Sequence, residues 1–485
     1  MAPSPTGPLH VGSARTSLYN FLAARHAGGA YVLRIEDTDV ARNSIEFERE
    51  IIEGLHWLGI TWDEGPQVAG GDDIGPYAPY RQSERMETYA REAARLLESG
   101  AAYRCWCTAE ELDAVRREQE ARREPPRYNR RCLNATDAER AAFEAAGRRA
   151  AIRFKVAPER IAFDDLVRGP VEFDNALLGD FVIVRADGGP LYHFTVVVDD
   201  ETMVITHVVR GEEHLSNTPK HIALIRALGY REPRFGHIPL ILNPDRSKMS
   251  KRKSQTAVAA FREAGYLPEA MVNFLAFLGW SPGTEEEIFT LDELAERFDL
   301  AKVHHGGAIF DQARLDHLNG VYIRALSDEQ LALRLRPFAP DAVGDADLLR
   351  VVPLVKERLV RLGELSDLIG FVWEADDSVV DRYTAELLVP KKLDPDDARR
   401  ALESAHETVA ELDDADFSAD VLEQRFREAA DAAGMKAGDF FTPVRVAVTG
   451  RTVSPPLFAS LELLGRDRAL RRLTGALGKL GAGAA

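Results

Sequence analysis

Cysteine is scarce in this sequence, with three in 485 residues. Three cysteines cannot close a disulfide framework, so a disulfide-stabilised secreted protein is excluded. The sequence also lacks any stretch of the roughly 20 apolar residues that a membrane span needs. The start, "MAPSPTGPLH", has neither the basic nor the apolar segment of a secretory signal, and no repeat indicates a solenoid or a propeller. We therefore expect a cytoplasmic protein.

The overall charge argues against a protein that binds nucleic acid over its whole surface. The formal net charge is -17, with 45% hydrophobic and 29% charged residues. This balance is typical of a soluble globular protein, and the length predicts roughly three to five domains. An acidic total still allows a local basic surface that binds nucleic acid.

The first 100 residues alternate helix and strand signals. Apolar residues recur at helical spacing from Ala14 to Leu22, the pair Gly28 and Gly29 ends that helix, and residues 31–35, "YVLRI", read as a buried strand. This order predicts a parallel sheet. A charge-dense stretch from Cys105 to about residue 155 then resembles an inserted module.

Strand signals return after the insertion, in "DFVIVRADG", "PLYHFTVVVDD" and "TMVITHVVRG". Residues 323–485 instead repeat apolar side chains with a period near 3.6, which predicts a separate helical region. In "DVLEQRFREAADAAG", Asp420 and Glu423 resemble a capping box and Gly434 is the expected stop.

The stretch "PSPTGPLHVGSA", residues 3–14, is the first candidate site. Gly12 admits close approach of a ligand, Ser13 can cap the following helix, and the helix amides suit a phosphate or ribose oxygen. His10 is expected to project into the same pocket. On its own this stretch fits an ordinary strand–helix turn with a capping serine better than it fits a ligand site.

The second candidate site is "RSKMSKRKS", residues 246–254, which has five cations in nine positions. Two close cations repel by up to about 4 kcal/mol in a partly desolvated setting, so ordering them usually requires an anion. A solvated basic loop is the alternative. The preceding apolar "HIPLILNP" favours a loop anchored to a buried strand.

Together, "HVGS" at 10–13 and "KMSKR" at 248–252 resemble the HIGH and KMSKS signatures of class I aminoacyl-tRNA synthetases. The stretches "APSPTGPLHVGSART", "RIEDTD", "YRQSER", "VVRGEEHLSNTP" and "SPPLFASLELLGR" extend the resemblance to bacterial glutamyl-tRNA synthetases over nearly the whole chain. The resemblance implies a Rossmann-like α/β catalytic domain with a parallel sheet, an inserted acceptor-binding module and an all-α anticodon-binding region. The implied boundaries are 1–104 and 191–243 for the two catalytic halves, 105–190 for the insertion, 244–322 for a stem-contact domain and 323–485 for the helical region.

The resemblance also implies the reaction. The α-carboxylate of glutamate attacks the α-phosphate of ATP, and a ribose hydroxyl of the terminal adenosine of tRNA(Glu) then takes the glutamyl group, with tRNA required for activation. ATP is expected to enter with Mg²⁺. The implied ATP-binding residues are His10, Gly12, Ser13, Lys248, Ser250 and Lys251, with Lys251 closing over the triphosphate.

By the same resemblance, Glu36 holds the α-amino group of glutamate. Arg210 binds the side-chain carboxylate, with Tyr192 donating a hydrogen bond, and Pro3 and Ser4 complete the pocket. An ordinary ion pair is the alternative role of Glu36 and Arg210. Family members usually carry a short strand with an arginine before "APSPTG"; this sequence starts at Met1, and we expect glutamate affinity to be the property affected.

Contacts to tRNA are implied for Asp39, Arg42 and Arg81 at the acceptor end. Arg358 is implied as a reader of an anticodon base, because guanidinium groups match base edges. A solvated helical arginine is the alternative for Arg358.

A zinc site is a further expectation. Cys105 and Cys107 lie one residue apart, and Cys132 follows after 24 intervening residues. Three thiolates at this spacing can seat zinc with the fourth position open. Some relatives use a histidine two residues beyond the last cysteine, where this chain has Asn134, and Tyr128 is another fourth ligand in this group. Buried thiols without metal are the alternative.

Other functions remain open beside this one. The helical tail disfavours a glutaminyl-tRNA synthetase, which is expected to carry β-barrel anticodon domains, and a tRNA-modifying relative that has the catalytic half alone. An enzyme that also charges tRNA(Gln) with glutamate, and a tRNA-binding protein without activity, are the two alternatives retained. The family usually implies a monomer.

Overall fold

The computed structural model describes residues 1–39, 42–249 and 256–482. The chain divides into two compact units. The first unit contains Met1–Phe261 and Pro268–Gln312, and the second contains Arg262–Leu267 and Ala313–Ala485.

The helices that begin before Gln312 are between six and sixteen residues long. They are α1 Val11–His26, α2 Ile45–Trp57, α3 Met86–Glu98, α4 Ala109–Ala121, α5 Asp137–Ala145, α6 Tyr192–Thr202, α7 Thr218–Leu228, α8 Val258–Glu263, α9 Pro268–Ala276 and α10 Leu291–Arg297. The predicted helix after "PLHVG" is confirmed as α1, whose apolar side buries Ala14, Leu18 and Leu22.

The strands are short. They are β1 Gly65–Pro66, β2 Asp73–Ile74, β3 Ala102–Cys105, β4 Ala151–Phe154, β5 Arg160–Asp165, β6 Gly169–Asp174, β7 Phe181–Val184, β8 His207–Gly211, β9 Arg234–Ile238, β10 Ile241–Leu242 and β11 Ala308–Ile309. β8 pairs with β9 and β10 with β11 in parallel. The insertion is antiparallel, with β3, β4 and β7 in one sheet and β5 and β6 in a hairpin.

The predicted strand over residues 31–35 is extended and largely buried, but it meets its neighbours through single parallel bridges. Val32 is bridged to Glu64 and Ile35 to Arg81. The parallel arrangement predicted from the sequence is therefore present in short pieces, and the segment delivers Glu36 to its carboxyl end.

Two of the predicted strands were wrong in extent or type. "PLYHFTVVVDD" forms helix α6, and only the last five residues of "TMVITHVVRG" form β8. The run from Val196 to Val198 favours a strand by propensity, but α6 is buried from Phe194 to Asp199. Packing on nearly all sides removes the helical period and overrides the β propensity of valine.

The second unit is helical, as predicted. Its helices are α11 Gln312–Ala325, α12 Asp328–Leu335, α13 Asp345–Val355, α14 Leu365–Ile369, α15 Asp376–Val380, α16 Ala385–Leu388, α17 Pro395–Glu411, α18 Ala419–Ala432, α19 Ala437–Thr449, α20 Leu457–Leu464 and α21 Arg466–Ala482, of which α11 begins at the boundary residue. α18 ends before Gly434 with φ +65°, as expected. Its predicted capping box is wrong, because the N-cap is Ser418 and Asp420 already lies inside the first turn.

The part of the chain that the structure describes includes no helix with the length and apolar character needed to cross a membrane.

Candidate active site

A cleft of about 1170 Å³ lies in the first unit. Most of the predicted site residues line it, namely Pro3, Ser4, His10, Gly12, Ser13, Glu36, Asp39, Arg42, Tyr192, Arg210 and Lys248. Residues from the start of the chain and from positions near 190, 210 and 248 therefore meet around one space.

His10 is the N-cap of α1. Its Nδ1 accepts hydrogen bonds from the amides of Gly12, at 3.1 Å, and Ser13, at 3.2 Å. The predicted cap, Ser13, is thus inside the helix, and its hydroxyl lies 3.0 Å from Nε2 of His10. A Cβ at Gly12 would approach the His10 ring to 3.0 Å, which explains the glycine. Because His10 uses these two amides, they are not free for a phosphate.

Strand β10 leads into a tight turn, and Lys248 comes directly after that turn. The amide of Asn243 donates to Ser247, and Arg246 adopts a positive φ of 63°. Lys248 is exposed at the rim of the cleft and forms a bridge with Leu242. The predicted ATP-binding residues Ser250 and Lys251 lie outside the residues that the structure describes.

Glu36 is the predicted partner for the amino group of the substrate, and it is one of several carboxylates that line the cleft. Its side chain is 10% exposed, and its closest cation is Arg34, whose Nη2 lies 3.4 Å from Oε1. Burial raises the pKa of Glu36 to about 7, against the opposing effect of Arg34 and with a smaller contribution from Asp199. The carboxylate is therefore poorly compensated within the protein and suits an ammonium ligand.

A buried ion network supports Glu36 from behind. Arg34 donates to Asp200 at 2.8 Å and lies 3.6 Å from Asp199, which also accepts from Arg85 at 2.8 Å. Arg34 and Asp200 line the cleft. The sequence analysis missed this network, although two successive aspartates after the apolar run "TVVV" were a usable signal for buried acidic residues.

Arg210 is the predicted partner for the side-chain carboxylate, and it is one of several cations that line the cleft. Its Nη2 donates to the Thr218 hydroxyl at 2.8 Å, its Nε to Nε2 of His237 at 3.2 Å, and its Nη1 lies 3.2 Å from His221. The Tyr192 hydroxyl lies 3.5 Å from the same Nη1. None of the described residues forms an ion pair with Arg210, so an ordinary ion pair does not account for it.

Neutral histidines surround this arginine. Burial lowers the pKa of His193 to about 4, and burial followed by Arg210 lowers the pKa of His221 and His214. The sequence analysis missed these residues. Five of the twelve histidines fall between His193 and His237, and this clustering was the available signal.

Three of the predicted tRNA contacts are exposed, unlike Glu36 and Arg210. Asp39 and Arg42 pair with each other at 2.5 Å and have 41% and 75% of their side chains exposed. Arg358 is exposed in the second unit, just after α13. These three residues are accessible to a large partner.

Arg81 does not fit the predicted tRNA contact. Its side chain is 7% exposed, and it pairs with Glu48 at 2.8 Å and with Asp73 at 3.1 Å. It also donates to the carbonyls of Gly71 and Val68. Because all these bonds lie within the fold, Arg81 stabilises the unit instead of facing a ligand.

The three cysteines form one cluster, in which the sulfur atoms lie within 4.8 Å of one another. The sulfurs of Cys107 and Cys132 are 3.5 Å apart. The Tyr128 hydroxyl lies 3.4 Å from the sulfurs of both Cys105 and Cys107. Zinc–sulfur bonds of about 2.3 Å place tetrahedral sulfurs about 3.8 Å apart, so the spacing of the three sulfurs is compatible with a zinc ion, and the Tyr128 hydroxyl lies beside them.

Comparison with known proteins assigns the family. Residues 1–317 match the model described as tRNA synthetases class I (E and Q), catalytic domain. The chain belongs to this family. Residues 330–477 match a model described as anticodon binding domain, so the predicted class I catalytic fold with a helical anticodon region is confirmed.

Full-length relatives agree with this assignment. The chain is 46% identical to the glutamate–tRNA ligase of Acidothermus cellulolyticus, over 100% of this chain and 96% of the relative. It is 45% identical to the glutamate–tRNA ligase of Symbiobacterium thermophilum, over 98% of each. The resemblance to bacterial glutamyl-tRNA synthetases drawn from the motifs is therefore confirmed.

A solved structure has the same architecture. The glutamate–tRNA ligase from Elizabethkingia meningosepticum, solved in complex with its amino acid, matches with a TM-score of 0.82 and 33% identity. The match covers 99% of this chain and 98% of that one.

Proposed function

We propose that this protein is a glutamate–tRNA ligase, which activates L-glutamate with ATP and transfers it to tRNA(Glu). The observation that carries the proposal is the convergence of Glu36 and Arg210 on one cleft, beside His10, Gly12 and Lys248. A zwitterion with a second carboxylate needs an anion for its amine and a cation for its side chain. The cleft offers both, and the full-length relatives bear the same name.

In the first step, a carboxylate oxygen of glutamate attacks the α-phosphorus of ATP, and pyrophosphate leaves. No protein nucleophile is needed, so the residues act by positioning and charge stabilisation. His10 holds the first turn of α1 in place beside the nucleotide, and Gly12 leaves room for the His10 ring to do so. Lys248 at the rim supplies positive charge, and Lys251 is proposed to neutralise the leaving pyrophosphate. ATP enters with Mg²⁺.

Glutamate is oriented by groups at two places in the cleft. Glu36 accepts the α-ammonium, and Arg210 pairs with the side-chain carboxylate while Tyr192 donates to it; Pro3 and Ser4 line the same space. Glutamine presents a neutral amide, so the cation of Arg210 would stay without a counter-charge, a penalty that favours glutamate.

In the second step, a ribose hydroxyl of the terminal adenosine attacks the carbonyl carbon of the adenylate, and AMP leaves. Asp39 and Arg42 are proposed to contact the acceptor end, and Arg358 to contact an anticodon base. These steps belong in the cytoplasm, where tRNA and ATP are available.

Cys105, Cys107, Cys132 and Tyr128 are proposed to hold a zinc ion. Zinc at such a site supplies folding energy to a small module instead of chemistry. The ion would tie the start of the insertion, at the end of β3, to the segment that follows α4.

ATP–pyrophosphate exchange tests the proposed function. We expect exchange with glutamate in the presence of tRNA(Glu), and neither glutamine nor aspartate should replace glutamate. Absence of exchange with and without tRNA would refute the enzyme, whereas exchange that ignores tRNA would refute the requirement for tRNA in activation.

A further inference from the structure

Two buried groups that the proposed mechanism does not use lie directly behind Arg210. Strand β8 contains Arg210 and strand β9 contains His237, and the parallel register makes these two residues direct partners. Nε of Arg210 donates to Nε2 of His237 at 3.2 Å. The arginine is therefore held from the sheet through its Nε, whereas Tyr192 of α6 contacts its Nη1.

His237 is held in turn by Asp165, the last residue of β5 in the insertion. Nδ1 of His237 lies 2.5 Å from Oδ2 of Asp165, and both side chains are 0% exposed. The other oxygen, Oδ1, accepts from the amides of Val167, Arg168 and His237 at 2.9–3.1 Å. Both carboxylate oxygens are thus fixed by donors.

This arrangement selects one protonation pattern. Burial would raise the pKa of Asp165, but the bonds from His237 and the backbone outweigh it and lower the pKa, so the carboxylate is ionised. Burial lowers the pKa of His237, which is neutral. The imidazole proton therefore lies on Nδ1, facing Asp165, and Nε2 is an acceptor.

The acceptor at Nε2 completes a closed set of bonds. Thr218 accepts from Nη2 of Arg210 and lies 3.1 Å from Nε2 of His237, to which its hydroxyl can donate. Arg210 and Thr218 thus share, as donors, the single lone pair of one nitrogen that carries no charge. A carboxylate at this place would fix the arginine equally well, but it would neutralise the cation and compete with an acidic substrate.

We propose that Asp165 and His237 are a positioning pair that orients Arg210 while leaving its charge for the side-chain carboxylate of glutamate, so that the pair sets the preference for glutamate over glutamine. This inference rests on the proposed function. The proposal also gives the insertion a role in amino-acid selection, because strand β5 of the insertion contains Asp165, which holds His237 against Arg210.

Asp165→Asn is the decisive variant. The three amides at Oδ1 require an oxygen there, so the new NH₂ group takes the place of Oδ2 and faces Nδ1 of His237. The imidazole must then move its proton to Nε2, where it opposes the N–H of Arg210, as in other carboxylate–histidine pairs that lose the carboxylate. We expect the KM for glutamate to rise about tenfold or more and the preference over glutamine to fall by a similar factor. The KM values for ATP and tRNA stay unchanged.

Asp180→Asn is the matched control. Asp180 is a buried carboxylate of the same insertion that accepts from Arg130 and the amide of Val156, both away from Arg210. It should lower thermal stability without a selective change in the KM for glutamate. Equal effects of the two variants on that KM would overturn the proposal.

Two variants at His237 cover the case in which Asp165→Asn fails to fold. His237→Gln keeps an acceptor near the position of Nε2, whereas His237→Leu removes it. We expect Gln to retain most of the preference for glutamate and Leu to lose it; equal loss in both would contradict a positioning role. The ¹⁵N shifts of His237 report its tautomer directly, and a proton on Nε2 in the unaltered protein would also overturn the proposal. If the unaltered protein fails to activate glutamate, the proposed function fails instead.

Discussion

The guanidinium of Arg34 lies 3.4 Å from the carboxylate of Glu36, a longer contact than its 2.8 Å bond to Asp200. Asp200 and Asp199 are thus the main partners of the Arg34 guanidinium. The Glu36 carboxylate can still accept hydrogen bonds from a ligand in the cleft. We therefore expect the Glu36 carboxylate to be fully paired only when an ammonium group binds.

Glu36→Gln is expected to weaken glutamate binding selectively. Losing a charged acceptor for the α-ammonium costs about 2–3 kcal/mol, a rise in the KM for glutamate of roughly 30- to 150-fold. The KM for ATP should not change. Glu64→Gln is the matched control, because Glu64 is a half-buried carboxylate bonded to Tyr80 at 2.7 Å that does not line the cleft. A similar KM change in both variants would refute the role of Glu36.

The binding of glutamate should depend on pH near neutrality. Burial raises the pKa of Glu36 to about 7, so the carboxyl is protonated below that pH and must lose its proton before it can accept an ammonium. The KM for glutamate should therefore be constant above pH 7 and rise by up to about tenfold per unit below it. Burial lowers the pKa of His193 to about 4, so that histidine does not change charge over pH 6–8. Glu36→Gln should abolish the pH dependence, and a KM that is flat in the unaltered protein would contradict this prediction.

The motifs predicted which residues meet in the cleft. Each motif is a short stretch that contains both a backbone turn and the side chains that the turn presents, so it can be recognised in the sequence. They could not predict how the site is held. His10 caps α1 in place of Ser13 because an imidazole nitrogen reaches two amides at once, which no residue preference for capping indicates. Arg81 lies in the core because it pairs there with Glu48, 33 residues earlier in the chain, and with Asp73. Pairing partners of this kind depend on tertiary contacts, which a single sequence does not reveal.

Lys251→Ala is expected to remove most adenylate formation while tRNA binding persists. Lys251 lies outside the described residues, so this prediction rests on the motif and on the charge that develops on pyrophosphate. A point charge that engages the transition state more strongly than the ground state lowers kcat rather than raising KM. Lys253→Ala, in the same basic stretch, is the control and should retain exchange. Normal turnover in Lys251→Ala would rule out the assigned role.

The cysteine cluster should bind one zinc ion per chain. Cys107→Ser is expected to lose the metal and to lower the thermal midpoint of the insertion, because a structural zinc site supplies folding energy. Tyr128→Phe should weaken zinc binding without abolishing it. Asn134→Ala is the control, since Asn134 is exposed and outside the cluster. Metal analysis of the purified proteins, with chelator titration, checks these outcomes; a full zinc equivalent in Cys107→Ser would exclude the cluster as the site.

Substitutions of Arg81 and Arg42 should affect different properties, namely stability for Arg81 and tRNA binding for Arg42. Arg81→Gln leaves Glu48 and Asp73 without their buried partner and is expected to lower the free energy of unfolding by about 3–5 kcal/mol. Arg42→Gln removes an exposed pair with Asp39 and should change stability little, but it should raise the KM for tRNA, because a cation near phosphates contributes to affinity. Chemical denaturation and aminoacylation kinetics at two salt concentrations measure both properties. A stable Arg81→Gln protein with weakened tRNA binding would reverse the roles assigned to these two arginines.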